Sequence, residues 1–206
     1  MRRPTSMRGL EDLGRTRLSE NFFFRDFLHS EIASLHGIPN IPDDPDLAIA
    51  AGTRLCAELL EPLRARFGRI SIRSAFRSAA VNDYGNRNDL NCAQNEKNYA
   101  GHIWDRRDAA GRMGATASIV VHAMLPYYER TGHWEAIAWW VHDHLPYSDM
   151  EFFPKLCAFN LQWKEGVPQR RIGSFIPPRR GVLTKPGMAN HAGSHEAEYR
   201  DWLASL

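Results

Sequence analysis

The stretch from Asp43 to Ile72 constrains this chain more than any other. It opens with Asp43-Asp44-Pro45, where acidic residues and an early proline suit a helix N-terminus. Leu47, Leu55, Leu59, Leu63 and Phe67 then fall on one helical face, and Gly68 ends the run. Directly afterwards Ile70 and Ile72 alternate with polar residues, the signature of a half-buried strand. The apolar period therefore switches from helical to alternating across one glycine. A helix with one apolar stripe and a strand with one apolar face must bury them against further layers, so the pattern predicts an α+β fold.

The rest of the chain fills in those layers. Phe24, Phe27, Leu28, Ile32 and Leu35 recur at three- and four-residue steps from about Asn21, and Gly37 is placed to cap that helix. Pro39 to Pro42 reads as a turn, and Ser78 to Tyr84 as a short helix. Ala115 to Val121 reads as a buried strand, and Ala123 to His144 as helical. Met150 to Trp163 and Arg171 to Ile176 read as strands of one sheet. From Gly85 to Arg112 the chain is polar, Asn-rich and without apolar periodicity. A loop of that length in a compact domain usually serves function, and it is expected to lie over the cleft. Residues 1–17, polar and Arg-rich, are expected to form a loose basic arm. A C-terminal tail is expected over 177–206, leaving a core domain at 18–176.

Composition excludes several classes. Hydrophobic residues make up 43% of the chain, enough for a core without staples. Three scattered cysteines, Cys56, Cys92 and Cys157, form neither a disulfide framework nor a metal-type pair. A net charge of +2, spread along the chain, gives no case for nucleic acid. No stretch reaches the length of a membrane helix, and the basic N-terminus lacks the apolar run of a secretory signal. A cytoplasmic or virion-associated location is the expectation.

A family resemblance rests on specific residues. Leu18 to Phe22, Asp26-Phe27, Ser30, Ala33, His36 to Ile38 and Asn40 to Pro42 come first. Leu55-Cys56, Leu60 to Arg64, Phe67-Gly68, Ile72 to Arg77 and Val81-Asn82 follow. Over 18–82 the sequence resembles the bacterial and phage branch of the D-alanyl-D-alanine carboxypeptidase/hedgehog-type zinc peptidases. The likeness is loose over 83–165 and absent from the tail. It implies a small central antiparallel sheet with N-terminal helices packed on it, and action on D-Ala-containing peptides of peptidoglycan. In the family, zinc is held by Ser-x-His-x-x-Gly-x-Ala-x-Asp and a later Trp-x-His, and a Glu before that His is the general base. Three protein ligands leave zinc one open position for the water that attacks the amide. The Arg of the family's Ser-Gly-Tyr-Arg motif falls on Arg77, which would clamp a substrate carboxylate or an oxyanion.

The metal motif itself is damaged. His102 fits the first ligand, with Ala100 where the Ser belongs and Ala109 where the Asp belongs. A second alignment places Gly114 to Ile119 on Gly-x-Ala-x-Asp-Ile, with Ser118 replacing the Asp. Asp105 or Asp108 would then have to substitute as metal ligands. Trp140-Val141-His142 matches Trp-x-His but sits in a helical pattern; after the turn-like Leu145-Pro146-Tyr147, the counterpart becomes Trp163-Lys164-Glu165, without a histidine. Glu151 is the candidate base, and Trp104 a candidate surface for stacking on a sugar or peptide.

The resemblance thus implies a degenerate peptidase-like domain that binds, and in its active version hydrolyses, cell-wall peptide. The alternatives are a structural or assembly component of a phage-derived particle, with particle proteins as partners, and an active zinc peptidase with relocated ligands. Zinc binding and zinc loss both stay open at this level. The remaining candidates carry less: His142 and His144 point to different helix faces, His191 and His195 fall in the expected tail, and Ser74, Ser118 and Cys157 lack a His/Asp arrangement for a hydrolase.

Overall fold

The computed structural model describes residues 2–206. The α+β expectation holds. A six-stranded sheet runs β1 (Ile70–Ser74), β2 (Gly114–Val121), β4 (Phe159–Lys164), β3 (Asp149–Phe152), β5 (Arg171–Ser174) and β6 (Gly181–Thr184) in spatial order. The nine helices among the described residues are α1 (Met7–Gly14), α2 (Glu31–His36), α3 (Pro45–Leu55), α4 (Glu61–Phe67), α5 (Ala79–Arg87), α6 (Asn95–Asn98), α7 (Leu125–Thr131), α8 (Glu135–His144) and α9 (Glu196–Leu203).

The long apolar stripe forms at Leu55, Leu59, Leu63 and Phe67, which are buried, while Leu47 stays outside the core. Asp44 caps α3 by accepting from the Leu47 amide, Pro45 occupies the first turn, and a π-helical turn at Cys56–Leu60 joins α3 to α4. Gly68, at φ 76°, turns the chain into β1. Gly37 closes α2 in the left-handed conformation. The upstream segment around Phe24–Phe27 is a separate 3-10 turn, because Leu28 ends it and Ser30 caps α2 afresh. The expected single helix over Ala123–His144 is likewise two, α7 and α8, parted at left-handed Gly132.

The sheet is mixed rather than wholly antiparallel. β3 and β4 form a hairpin, and the chain then crosses the start of β3 so that β5 adds in parallel on its far side. The crossing segment is tied down there: the Gln169 amide donates to the Tyr147 carbonyl, and the Arg170 amide to that of Ser148 at 2.8 Å.

Strand register separates two faces. On one, Ile72–Ile119–Phe159–Phe152 and Ala117–Leu161–Met150–Ile172 form continuous apolar rows across the strands. α3 and the π-helical turn after it pack against this face, and the core extends through Phe67 of α4, stacked on Trp202 at 4.6 Å and edge-on to Trp140 at 4.6 Å. The other face is polar and open.

Both chain ends depart from expectation. In the segment expected to be a loose arm, Ser6 caps α1 and Leu13 is fully buried. The expected tail supplies β6 and α9, and Trp202 of α9 is fully buried. In the arm Leu13 is a lone large anchor, and in the tail the apolar pattern resumes only at Tyr199 to Leu206, where α9 forms.

Candidate functional site

The open face of the sheet carries two polar rows. Ser74, Ser118, Asn160 and Glu151 are successive cross-strand partners, ending at Gly173. Thr116, Gln162, Asp149 and Arg171 form the next row. Simple alternation produces both: in Phe159–Lys164 every second residue is apolar, and Asn160, Gln162 and Lys164 take the opposite face.

Two adjoining hollows lie over these rows and share Asn98, His102 and Asn160. One, of about 340 Å³, is lined by Ser74, Arg77, Leu90, Ser118 and Phe153. The other, of about 270 Å³, is lined by Lys97, Thr116, Asp149, Glu151, Lys164 and Arg171. The segment expected to cover the cleft does so, through Leu90, Asn91, Asn98 and Gly101. A hollow of about 370 Å³ at the free edge of β1 is larger, but it gathers only Asp26 and Arg64 beside apolar and amide groups. The sheet face brings together far more chemistry.

A network of asparagines holds the covering segment. Asn82 is fully buried; its amide nitrogen donates to the Ala93 carbonyl at 2.9 Å and to Asn95 Oδ1 at 2.8 Å. Its oxygen accepts from Asn98 Nδ2 at 2.6 Å, and Asn98 Oδ1 accepts from the His102 amide at 3.1 Å. Buried polar groups of this kind hold a backbone in place when all are satisfied. The chain so held places His102 at the junction of the two hollows.

His102 is buried, and its Nδ1 lies 2.7 Å from the Ala75 carbonyl. A carbonyl only accepts, so Nδ1 carries the proton and Nε2 is a lone pair. Nε2 has no protein partner among the described residues. Burial, and then the positive charge of Arg77, push the imidazole pKa down to about 3. His102 is thus a neutral acceptor in the cleft at any physiological pH.

Arg77 follows β1, and its amide donates to the His102 carbonyl at 2.8 Å. Its Nη1 donates to Cys92 Sγ at 3.2 Å. Among the described residues, no carboxylate lies within ion-pairing distance of its guanidinium. The lining of its hollow is otherwise hydroxyl, amide, imidazole and apolar.

The other expected site residues take different places. Trp104 is fully buried among Phe24, Phe27 and Phe76, with Nε1 donating to the Thr116 carbonyl at 3.2 Å. It is a core residue, fixed by its place between the helical layer and β2, and offers no stacking surface. Asp105 is buried beside the N-terminus of α3, where Oδ2 accepts from the Asp43 amide at 2.6 Å. Burial raises its pKa, against the backbone hydrogen bonds that oppose the shift. Asp108 closes its own loop: its carboxylate accepts from the Ala110 amide at 2.9 Å and the Arg112 amide at 3.0 Å, and pairs with Arg112 and Lys164. Neither aspartate lines the cleft with His102.

Glu151 does reach the cleft, but Arg171 grips it together with Asp149. Gly173 leaves the space, since a Cβ there would press on the Arg171 guanidinium and lie 2.8 Å from Glu151 Oε1. Arg171's own pKa is pushed up chiefly by those acids, against its desolvation. Glu151 is thus engaged in an ion pair with Arg171 and does not stand free to meet a water, as its assignment as base requires.

Among the described residues, no three His, Cys, Asp or Glu side chains lie together in a way that could hold a metal. Zinc needs three such donors; beside His102 one hollow offers the neutral Ser118 and Asn160, and the other Asp149 and Glu151, which Arg171 holds. The donor set does not fit zinc, and the expected trio His102, Asp105 and Asp108 is not assembled. The residue across from Ser118 is Asn160. The Trp163–Glu165 segment expected there lies further along, with Trp163 on the core face donating to Glu58 Oε2 at 2.8 Å.

The remaining histidines form a separate cluster against α8. His142 Nε2 donates to the His191 carbonyl at 2.8 Å, so Nδ1 accepts from the Tyr147 hydroxyl at 2.7 Å. His195 stacks on Trp139 at 4.0 Å and bonds Asp143 Oδ1 through Nδ1 at 2.7 Å. These contacts anchor the C-terminal segment. No helix among the described residues is long and apolar enough to cross a membrane.

Asn98, Asn160, Gln162, Lys97, Arg171, Leu90 and Phe153 are among the cleft residues that the sequence did not single out. The alternation in Phe159–Lys164 carried a signal for two of them. No family model, curated protein or solved structure matches this chain.

Proposed function

We propose that this chain is a binding module of peptidase-like design that holds a peptide ending in a free carboxylate, independently of zinc. The observation that carries the reading is Arg77: a guanidinium lining a cleft, with no carboxylate partner among the described residues. A planar cation so placed suits bidentate pairing with a carboxylate. Neutral groups surround it. His102 Nε2, Ser118 and Asn160 offer acceptors and donors for the amide groups of an extended peptide.

The resemblance over 18–82 names the ligand class, D-Ala-terminated peptides of peptidoglycan. The sheet gives it room. Four strand spacings separate Ser74 from Gly173, and at about 4.8 Å each this is roughly 19 Å, the reach of five to six extended residues. Against hydrolysis stand the committed Glu151 and the missing donor set.

Titration calorimetry with acetyl-Lys-D-Ala-D-Ala and its C-terminal amide tests the reading. The acid is expected to bind and the amide not, with chelator making no difference. Arg77→Gln removes a charge-assisted pair of about 1.5–3 kcal/mol, weakening the acid roughly ten- to hundredfold. Equal binding of acid and amide, or no binding of either by folded protein, sinks the reading. Release of D-Ala that depends on added zinc would restore the enzyme.

A further inference from the structure

The hollow of Arg77 also carries large apolar side chains. Leu90 of the covering segment and Phe153, at the end of β3, line it directly. Phe175 stacks on Phe153 with ring centroids 5.7 Å apart and planes at 17°. Leu90 is 40% exposed and Phe175 56%. Single exposed apolar residues are commonplace, but here Leu90 and Phe153 line the same hollow as a cation without a carboxylate partner, and Phe175 extends that surface by stacking on Phe153.

The backbone under each of these side chains is fixed. The Phe153 amide donates to the Ala158 carbonyl at 2.8 Å, and the Phe175 amide to that of Phe152 at 2.9 Å. The Leu90 amide donates to the Gly85 carbonyl at 2.8 Å. A shelf held in this way loses little freedom when a ligand covers it.

We infer that Leu90, Phe153 and Phe175 form a subsite for the side chain of the ligand's C-terminal residue, and that this subsite sets a preference for an apolar group there. The inference rests on the carboxylate-binding reading above. The charge pattern selects the occupant: a carboxylate on Arg77 brings the side chain of the same residue to the adjoining apolar side chains. A C-terminal peptide residue joins those two chemistries on one carbon.

The test uses acetyl-Lys-D-Ala peptides ending in Gly, D-Ala or D-Leu, with the C-terminal amides as controls, titrated into the full chain. In the wild type, affinity should rise from Gly to D-Leu by about tenfold or more, as expected when about two or more methylenes leave water. Phe175→Ser and, separately, Leu90→Ser should flatten that gradient while binding stays carboxylate-dependent. Both side chains are exposed, and thermal unfolding checks that each variant folds. A gradient that is flat in the wild type, or unchanged in both variants, overturns the subsite; loss of binding in Arg77→Gln would then show that the carboxylate reading still stands. No binding of any acid by the wild type overturns both. Phe175-dependent binding of chitotetraose, with no response to the peptides, overturns the peptide as occupant in favour of a sugar ring.

Discussion

His102 sits where burial and a neighbouring arginine both disfavour its charged form, and this has a consequence for stability. The ring's pKa falls from an ordinary 6.5 to about 3 on folding. Between those values the unfolded chain binds the extra proton, so stability drops as the pH falls through that window, by about 1.4 kcal/mol per pH unit. His142, whose pKa burial also lowers, adds in the same direction. Asp108 and Glu61, held below the ordinary carboxylate range by hydrogen bonds and nearby cations, act only at lower pH; Asp105, raised by burial, acts with the opposite sign. Urea unfolding of wild type and His102→Gln at pH 7, 6, 5 and 4.5 separates these terms, since all but one are common to both proteins. The wild type is expected to lose about one proton's worth of slope more than the variant; parallel curves would mean that His102 is solvated. Arg77 and His102 were both legible in the sequence, because each sits in a short local motif. The failure at Asp105, Asp108 and Trp104 has one physical cause. Spacing along a loop does not say which side chains the tertiary structure needs for its own caps, turns and core.

At the scale of elements, the cleft is a product of strand register and of one polar network. The alternation in Phe159–Lys164 shows from sequence that Asn160 and Gln162 share a face. Which residues stand across from them depends on pairing between segments some forty residues apart, and on β5 passing β3 to add in parallel. No local pattern encodes that. Asn82 is the converse case: one of the residues of the family resemblance, it proves to be the hub of the covering segment. Asn82→Asp keeps the size but removes both donors, setting a carboxylate against the Ala93 carbonyl and Asn95 Oδ1. A cost of about 2–3 kcal/mol is expected in denaturant unfolding, together with faster amide exchange over 93–102. Unaltered exchange there would show that the network does not hold the segment. Gly114 makes a second demand, because a Cβ at the start of β2 would press on the carbonyl oxygen of Ala100 and lie 2.9 Å from that of Trp163. A methyl group there must push backbone rather than a side-chain tip. Gly114→Ala should therefore destabilise by about 1–3 kcal/mol, and a thermal midpoint equal to wild type would refute the close approach.

At the scale of the molecule, the ends of the chain decide whether the domain stops at Ile176 or includes everything after it. α9 lies against α8, Trp202 stacks on Phe67, and Phe67 closes the long helix that carries the rest of the core. The histidines along this segment reinforce the contact: His195 is pinned by Asp143 and Trp139, and the His191 carbonyl accepts from His142. The C-terminal segment is therefore structural, although Tyr199 and Trp202 alone could not announce that in sequence. Replacing a fully buried Trp with Ala removes its transfer energy and leaves a cavity between α4, α8 and α9, at a cost of about 3–5 kcal/mol. That is a large share of the 5–15 kcal/mol that typically separates folded from unfolded domains. Trp202→Ala should consequently lower the unfolding midpoint of the whole chain. Far-UV circular dichroism and the fluorescence of the other tryptophans should move together, because α9 and the sheet share one core. If the C-terminal segment were an independent appendage, the substitution would leave the main transition in place and add at most a separate early one.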